Sequence, residues 1–116
     1  MEKTLKDKAI AKEESKIKEL FKDLPKENKK LCEGLIQNTA FMTITLRELQ
    51  EDIKENGAVI TTTGGNGFEV VKDNPAIKTY NTMIARYTAA IKQLAEMLPD
   101  SETAAGKEIL DFLNSN

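Results

Sequence analysis

Apolar residues recur along this chain with a helical period in three long stretches, and a short segment between the second and third breaks that rule. Residues 75–98 carry the most regular pattern. Ile77, Tyr80, Ile84, Tyr87, Ile91, Leu94 and Leu98 follow one another at spacings of three and four. That spacing keeps one side chain per turn on a single helix face, as in a coiled-coil seam. Met83 and Ala95 broaden the seam into a face. Asn74 is a suitable cap, Pro75 suits a first helical turn, and Pro99 ends the run.

Residues 26–56 form a second helical pattern. Leu31, Leu35, Met42, Leu46, Leu49 and Ile53 line one side, with Ile36 and Phe41 widening it. Gly34 costs about 1 kcal/mol against alanine inside a helix, which suggests close approach of another helix. Residues 4–23 form the third pattern. Leu5, Ala9, Ile10, Ile17, Leu20, Phe21 and Leu24 trace a thin stripe with a gap between Ile10 and Ile17. This helix is expected to be partly exposed. Asp23-Leu24-Pro25 breaks it, because proline disfavours helical backbone at the residue before it.

The segment between the two longer helices reads differently. Gly57 stops a helix; Val59, Ile60 and Thr61 to Thr63 are β-branched, as are Val70 and Val71. Gly64, Gly65, Asn66 and Gly67 are expected to supply the positive φ angles of a tight reversal. The pattern predicts a β-hairpin over 57–75. A lone two-stranded hairpin is marginal in water, so the flanking helices or a second copy must cover it. A short last helix is expected near 102–113, capped by Asp100 or Ser101, with Ile109, Leu110, Phe112 and Leu113 as its apolar side.

The predicted fold is mainly α. A long antiparallel helix hairpin holds a short β-hairpin between its second and third helices, with a Lys-rich N-terminal helix and a short C-terminal helix. Three units follow: 1–24 as the Lys-rich helix, 25–99 as the helix–β-hairpin–helix core, and 100–116 as the tail. At 116 residues, a catalytic domain and a binding domain do not both fit. Aromatics are 5% and tryptophan is absent, so the core must be aliphatic.

Charge is unevenly placed. Residues 1–31 hold ten lysines against seven acids, whereas residues 32–74 hold three basic and seven acidic side chains. The N-terminal third is therefore the place to look for attraction to phosphate. Lys3, Lys6, Lys8, Lys12, Lys16 and Lys18 are the candidate DNA-contacting residues. Their being lysines favours phosphate contact over base reading, since bidentate guanine recognition is mainly arginine chemistry. The competing reading is a solvated, mixed-charge helix face with i,i+4 pairs.

Other chemistry finds little support. The chain has no histidine and one cysteine, Cys32, which excludes the common zinc patterns. Cys32 sits among Leu31, Leu35 and Ile36 and reads as a small buried hydrophobe. Gly64-Gly65-Asn66-Gly67 lacks the following Lys-Ser/Thr of a phosphate loop. No carboxylate stands in an apolar context that would raise its pKa convincingly; Glu33 is the nearest case, and a helix-surface place suits it better. No catalytic residues, metal or cofactor are expected. No stretch approaches transmembrane length, and a cytoplasmic protein is expected.

Several of these segments together resemble a known family. Ala40-Phe41-Met42 and Leu46-Arg47-Glu48-Leu49 lead to Gly57-Ala58-Val59-Ile60, an Asn-Gly turn and Asn74-Pro75-Ala76. Tyr80-Asn81-Thr82-Met83-Ile84-Ala85-Arg86-Tyr87 and Lys92-Gln93-Leu94-Ala95-Glu96-Met97-Leu98-Pro99 follow. The order resembles the small terminase subunits of tailed phages and prophages, over roughly residues 30–101. The resemblance implies a non-catalytic, ring-forming subunit that binds double-stranded viral DNA. It also implies a partner, the large terminase subunit, which holds the ATPase and nuclease. Gly57, Asn66, Gly67, Asn74 and Pro75 would be framework positions. The seam from Ile77 to Leu98 would serve the core or oligomerisation. The pattern departs after Pro99, where Asp100-Ser101-Glu102 carries no arginine. The rival expectation, from another class, is a helical oligomeric adaptor that binds only protein.

Overall fold

The computed structural model describes residues 4–98. The order of elements is α1 (Leu5–Leu20), α2 (Lys26–Asn56), β1 (Val59–Thr63), β2 (Glu69–Asp73) and α3 (Pro75–Glu96). The mainly α architecture and the hairpin between the second and third helices are as the pattern predicts. The expected helix over 102–113 lies outside the described residues, as do Lys3 and Pro99.

Local chemistry sets the helix ends. Thr4 and Asp7 form a reciprocal capping box: Asp7 N–H donates to Thr4 Oγ1 at 3.0 Å, and Thr4 N–H donates to Asp7 Oδ2 at 3.1 Å. Two of the helix's orphan donors are thereby satisfied. Past Leu20 the chain tightens into turns, with Leu24 N–H donating to Phe21 O at 3.2 Å. α2 ends at Gly57, whose φ of 80° suits glycine. Asn74 caps α3 by accepting from Ala76 N–H at 3.0 Å.

α2 is the spine, and α1 and α3 both pack along it. The α2–α3 pair is antiparallel. Cys32 meets Met97 at one end (Sγ to Sδ 3.3 Å), and Gln50 donates to Tyr80 Oη at 3.2 Å near the other. The core gathers Ile17, Phe21 and Leu24 with Cys32, Ile36 and Ala40 of α2 and Ile91 and Leu94 of α3. Each aliphatic side chain fully buried in this way contributes about 1.5–3 kcal/mol. Cys32 is buried, and desolvation pushes its thiol pKa up.

The buried stripe of α2 differs from the expected one. Leu31 is 78% exposed and Phe41 is also exposed. The fully covered positions are Cys32, Ile36, Thr39, Ala40, Thr43, Ile44 and Leu46. The reason is that α2 has two neighbours on two faces, so small residues lie where helices meet. The threonines are satisfied there: Thr39 Oγ1 donates to Leu35 O at 2.7 Å and Thr43 Oγ1 to Thr39 O at 2.8 Å. Gly34 does not mark a close helix approach, since a Cβ there would meet open space. Leu5 of α1 is also exposed.

The β-hairpin stands apart. β1 and β2 pair antiparallel, Val59 with Asp73 through Thr63 with Glu69, and pair with no further strand among the described residues. Of the loop glycines only Gly67 has a positive φ, at 82°. Gly67 N–H donates to Gly64 O at 3.0 Å and Gly64 N–H to Phe68 O at 2.8 Å. That is the geometry of a three-residue hairpin loop. At Gly64 the constraint is space instead: a Cβ there would lie 3.3 Å from both Val70 Cγ2 and Asn66 Oδ1, so those side chains would have to give by a few tenths of an ångström. All five residues of β2 are exposed, with Val71 at 68%, and Phe68 beside the loop is at 72%. The flanking helices therefore do not cover the hairpin.

What holds the hairpin to the bundle is polar. Asn74 is buried, and its Nδ2 donates both to Asp52 Oδ1 at 3.0 Å and to Gly57 O at 2.9 Å. Its backbone N–H donates to Ala58 O at 2.9 Å. One side chain thus ties the end of α2, the base of the hairpin and the start of α3. The hydrogen bond from Asn74, then that from Asn56, holds the Asp52 carboxyl below its ordinary pKa.

Candidate nucleic-acid interface

The lysines of α1 do not form one free cationic face. Lys6 reaches across to α2, with its Nζ 2.7 Å from Glu48 and 5.0 Å from the centre of the Phe41 ring. Lys16 lies 3.6 Å from Glu13, and Lys18 lies 2.9 Å from Glu14. Lys8 and Lys12 are exposed and form no ion pair among the described residues. The exposed pairs of Lys6 and Lys18 are worth about 0–1 kcal/mol, so they lower the local charge more than they fix the lysines.

Glu13 explains the gap in the apolar stripe of α1. It occupies the inward position between Ile10 and Ile17 and is only 3% exposed. The sequence reading names Glu33, not Glu13, as the carboxylate nearest an apolar setting, whereas Glu33 is exposed and Glu13 is buried. Its Oε2 lies 3.9 Å from Arg47 Nη2 of α2, while its Oε1 has no hydrogen-bond partner. Tyr87 of α3 closes the group. Burial pushes its phenol pKa up, opposed first by a hydrogen bond with Thr43. A polar junction thus sets α1 against the other two helices. Sequence reading missed it because a lone glutamate among charged neighbours looks solvated; its place at the seam period was the available signal.

A second lysine set is brought together by the fold. Ser15, Lys18, Glu19 and Lys22 share the face of α1 that looks toward the turn. Lys26, Lys29, Lys30 and Glu33 share a face of α2 by the same three-and-four spacing. The two faces confront each other across Asp23-Leu24-Pro25 and line an open groove of about 460 Å³, floored by Phe21 and Ile36. Lys22 pairs with Glu19 at 3.1 Å, whereas Lys26, Lys29 and Lys30 are exposed and form no ion pair among the described residues. The hydrogen bond to Glu14 first, and then the charges of Glu14 and Glu33, raise the Lys18 ammonium pKa; burial opposes this.

The seam residues divide by position. Ile91 and Leu94 are buried; Ile77, Tyr80, Ile84, Tyr87 and Leu98 are half-buried, and Leu98 lies just past the end of α3. Glu33 is on the exposed surface, as expected. Among the described residues no group of three or more histidine, cysteine, aspartate or glutamate side chains could hold a metal ion. No described helix is long and apolar enough to cross a membrane.

No curated protein and no solved structure matches the chain. A family model does match: that of the phage terminase small subunit, over residues 15–107, which takes in α2, the β-hairpin, α3 and the last turns of α1. With well over half its length matched, the chain belongs to the phage terminase small-subunit family.

Proposed function

We propose that this chain is the non-catalytic DNA-recognition subunit of a phage or prophage packaging enzyme. It assembles into a homo-oligomeric ring, binds double-stranded viral DNA in the host cytoplasm and presents it to a large ATPase-nuclease subunit. The observation that carries this reading is the family match over residues 15–107. The lysine-rich segment ahead of an acidic middle supports it. Residues 1–24 serve as the Lys-rich N-terminal unit, 25–99 as the helix–β-hairpin–helix core and 100–116 as the tail. Phosphate contact falls to the lysine-rich first third of the chain, in which the sequence offers Lys3, Lys6, Lys8, Lys12, Lys16 and Lys18 as candidates. A ring multiplies a modest charge per subunit around one rim, and each phosphate neutralised releases counterions.

Assembly rests on two surfaces. The half-buried part of the seam, from Ile77 to Tyr87, has apolar area left to cover. The uncovered hairpin presents free strand edges of the kind that pair with other chains. Light scattering combined with a duplex gel shift at about 50 and 200 mM salt, a range over which phosphate-driven binding weakens sharply, tests the reading. An oligomer whose DNA affinity falls steeply with salt is expected. A monomer that ignores DNA at the lower salt would overturn it. An oligomer indifferent to DNA would favour the adaptor instead.

A further inference from the structure

We infer that the principal DNA-phosphate contact is the lysine groove at the α1–α2 turn, made by Lys26, Lys29 and Lys30 with Lys18 and Lys22, and not the outer face of α1. This rests on the DNA-binding reading above and gives that reading its site. Four observations converge on it.

The first is arrangement. Lys18 and Lys22 of α1 and Lys26, Lys29 and Lys30 of α2 line one groove, accompanied by two acids, Glu19 and Glu33. Helical spacing accounts for this: each set lies on one face of its helix, and the turn at Pro25 sets the faces opposite each other.

The second is availability. On the outer face of α1, Lys6 is engaged by Glu48 and lies over Phe41 and Lys16 is engaged by Glu13, which leaves Lys8 and Lys12. In the groove, Lys18 and Lys22 are engaged by Glu14 and Glu19, which leaves three lysines on one face. Lys26, Lys29 and Lys30 form no ion pair among the described residues, although Glu19 and Glu33 line the same groove. A phosphate arriving there displaces water and counterions, not an existing partner.

The third is rigidity. The groove floor is Phe21 and Ile36, 2% and 3% exposed, so the lysines project from a packed base. Ammonium groups on a fixed base track a phosphate backbone at a low ordering cost.

The fourth is the family span. The matched stretch begins at residue 15, so every groove residue lies inside it. Lys3, Lys6, Lys8 and Lys12 lie outside it. Lysine engages phosphate as a point charge, so this groove positions the duplex without reading its sequence.

The test uses the full chain and labelled duplexes of two unrelated sequences. Lys26→Gln/Lys29→Gln/Lys30→Gln is compared with Lys8→Gln/Lys12→Gln, each checked for unchanged oligomer size and helicity. The groove variant should bind at least tenfold more weakly, equally on both duplexes. Its salt slope should become shallower by about 0.9 for each phosphate that is no longer neutralised. The α1 variant should stay within threefold of the parent. Lysine acetylation read by mass spectrometry gives an answer without substitution: DNA should protect Lys26, Lys29 and Lys30 more than Lys8 and Lys12. If the α1 variant weakens as much as the groove variant, or protection falls on Lys8 and Lys12, the groove assignment is wrong and DNA binding stands. If the unaltered chain binds neither duplex at the lower salt, the DNA-binding reading fails, and the groove with it.

Discussion

Where α1, the first half of α2 and the last half of α3 meet, Ile17, Thr39 and Leu94 have no exposed surface. Where α2 runs into the hairpin and α3 begins, Ile77, Tyr80 and Ile84 are half-buried and all of β2 is exposed. The same seam runs through both ends of α3. Its residues are as apolar near the hairpin as near the core, so residue type does not make the difference. The third helix does: α1 closes one end of the α2–α3 pair, and nothing in the described chain closes the other. One end is held by apolar burial. The other is held by directed bonds converging on Asn74.

Substitution at the closed end should have the largest effect. Leu94→Ala should cost about 2–5 kcal/mol, the range for emptying a fully buried leucine site, read as a lower urea midpoint with unchanged slope. Ile77→Ala at the open end should cost less than half as much. Equal losses would erase the distinction between the two ends.

Asn74→Ala comes next. It removes a helix cap worth about 1 kcal/mol and two further side-chain bonds of about 1 kcal/mol each. The loss should be local. Hydrogen exchange of Val59–Thr63 and Glu69–Asp73 should speed up, while amides around Ile36 and Leu94 keep their protection. Uniform loss of protection would mean that the hairpin end belongs to the same cooperative unit as the core.

Glu13→Ala should cost about 1–3 kcal/mol, since it leaves Arg47 facing a half-buried space without its carboxylate. Restoring length without charge, as in Glu13→Gln, should recover part of that if shape matters more than the ion pair.

The pH dependence separates the ends in opposite directions. The Asp52 carboxyl is held below its ordinary pKa by Asn74 and Asn56. Its contribution is full above the ordinary carboxylate value of about 4 and is lost as pH falls through the folded value. Acid should therefore loosen the hairpin base, and Asn74→Ala should blunt that response. The Cys32 thiol is raised by burial. Its contribution is full below the ordinary thiol value of about 8.5 and is lost as pH rises through the folded value. Native-state alkylation of Cys32 should be slow up to that range.

The smallest effect belongs to the hairpin surface. Phe68→Ser and Val71→Thr should change subunit stability by about 0.5 kcal/mol or less, as exposed substitutions do. If the hairpin joins subunits, the same changes should shift the oligomer toward smaller species in light scattering. An unchanged oligomer would move that role to the seam.

Much of this architecture is written in local sequence. The spacing from Ile77 to Leu94 defines α3, Asn74-Pro75 starts it, and Gly57 ends α2. The β-branched runs around Gly64 to Gly67 make the hairpin. Each rests on neighbours within a few residues, where backbone sterics and capping decide. The family resemblance was legible for the same reason, since it is an ordered series of such local signals.

Other features depended on which helix lies against which. Leu31 and Cys32 are adjacent and both apolar, yet only Cys32 is buried, because α1 and α3 approach that face of α2. Glu13 is buried because it lands opposite Arg47, thirty-four positions away. The sequence offered six lysines, from Lys3 to Lys18, as candidates for phosphate contact. Packing engages several of them and gathers another set across the turn at Pro25. The sequence by itself determined the elements, their order and the charge of the first third. Tertiary structure decided which of those charges stay free and which end of the bundle remains open, because burial and ion pairing depend on distances across helices.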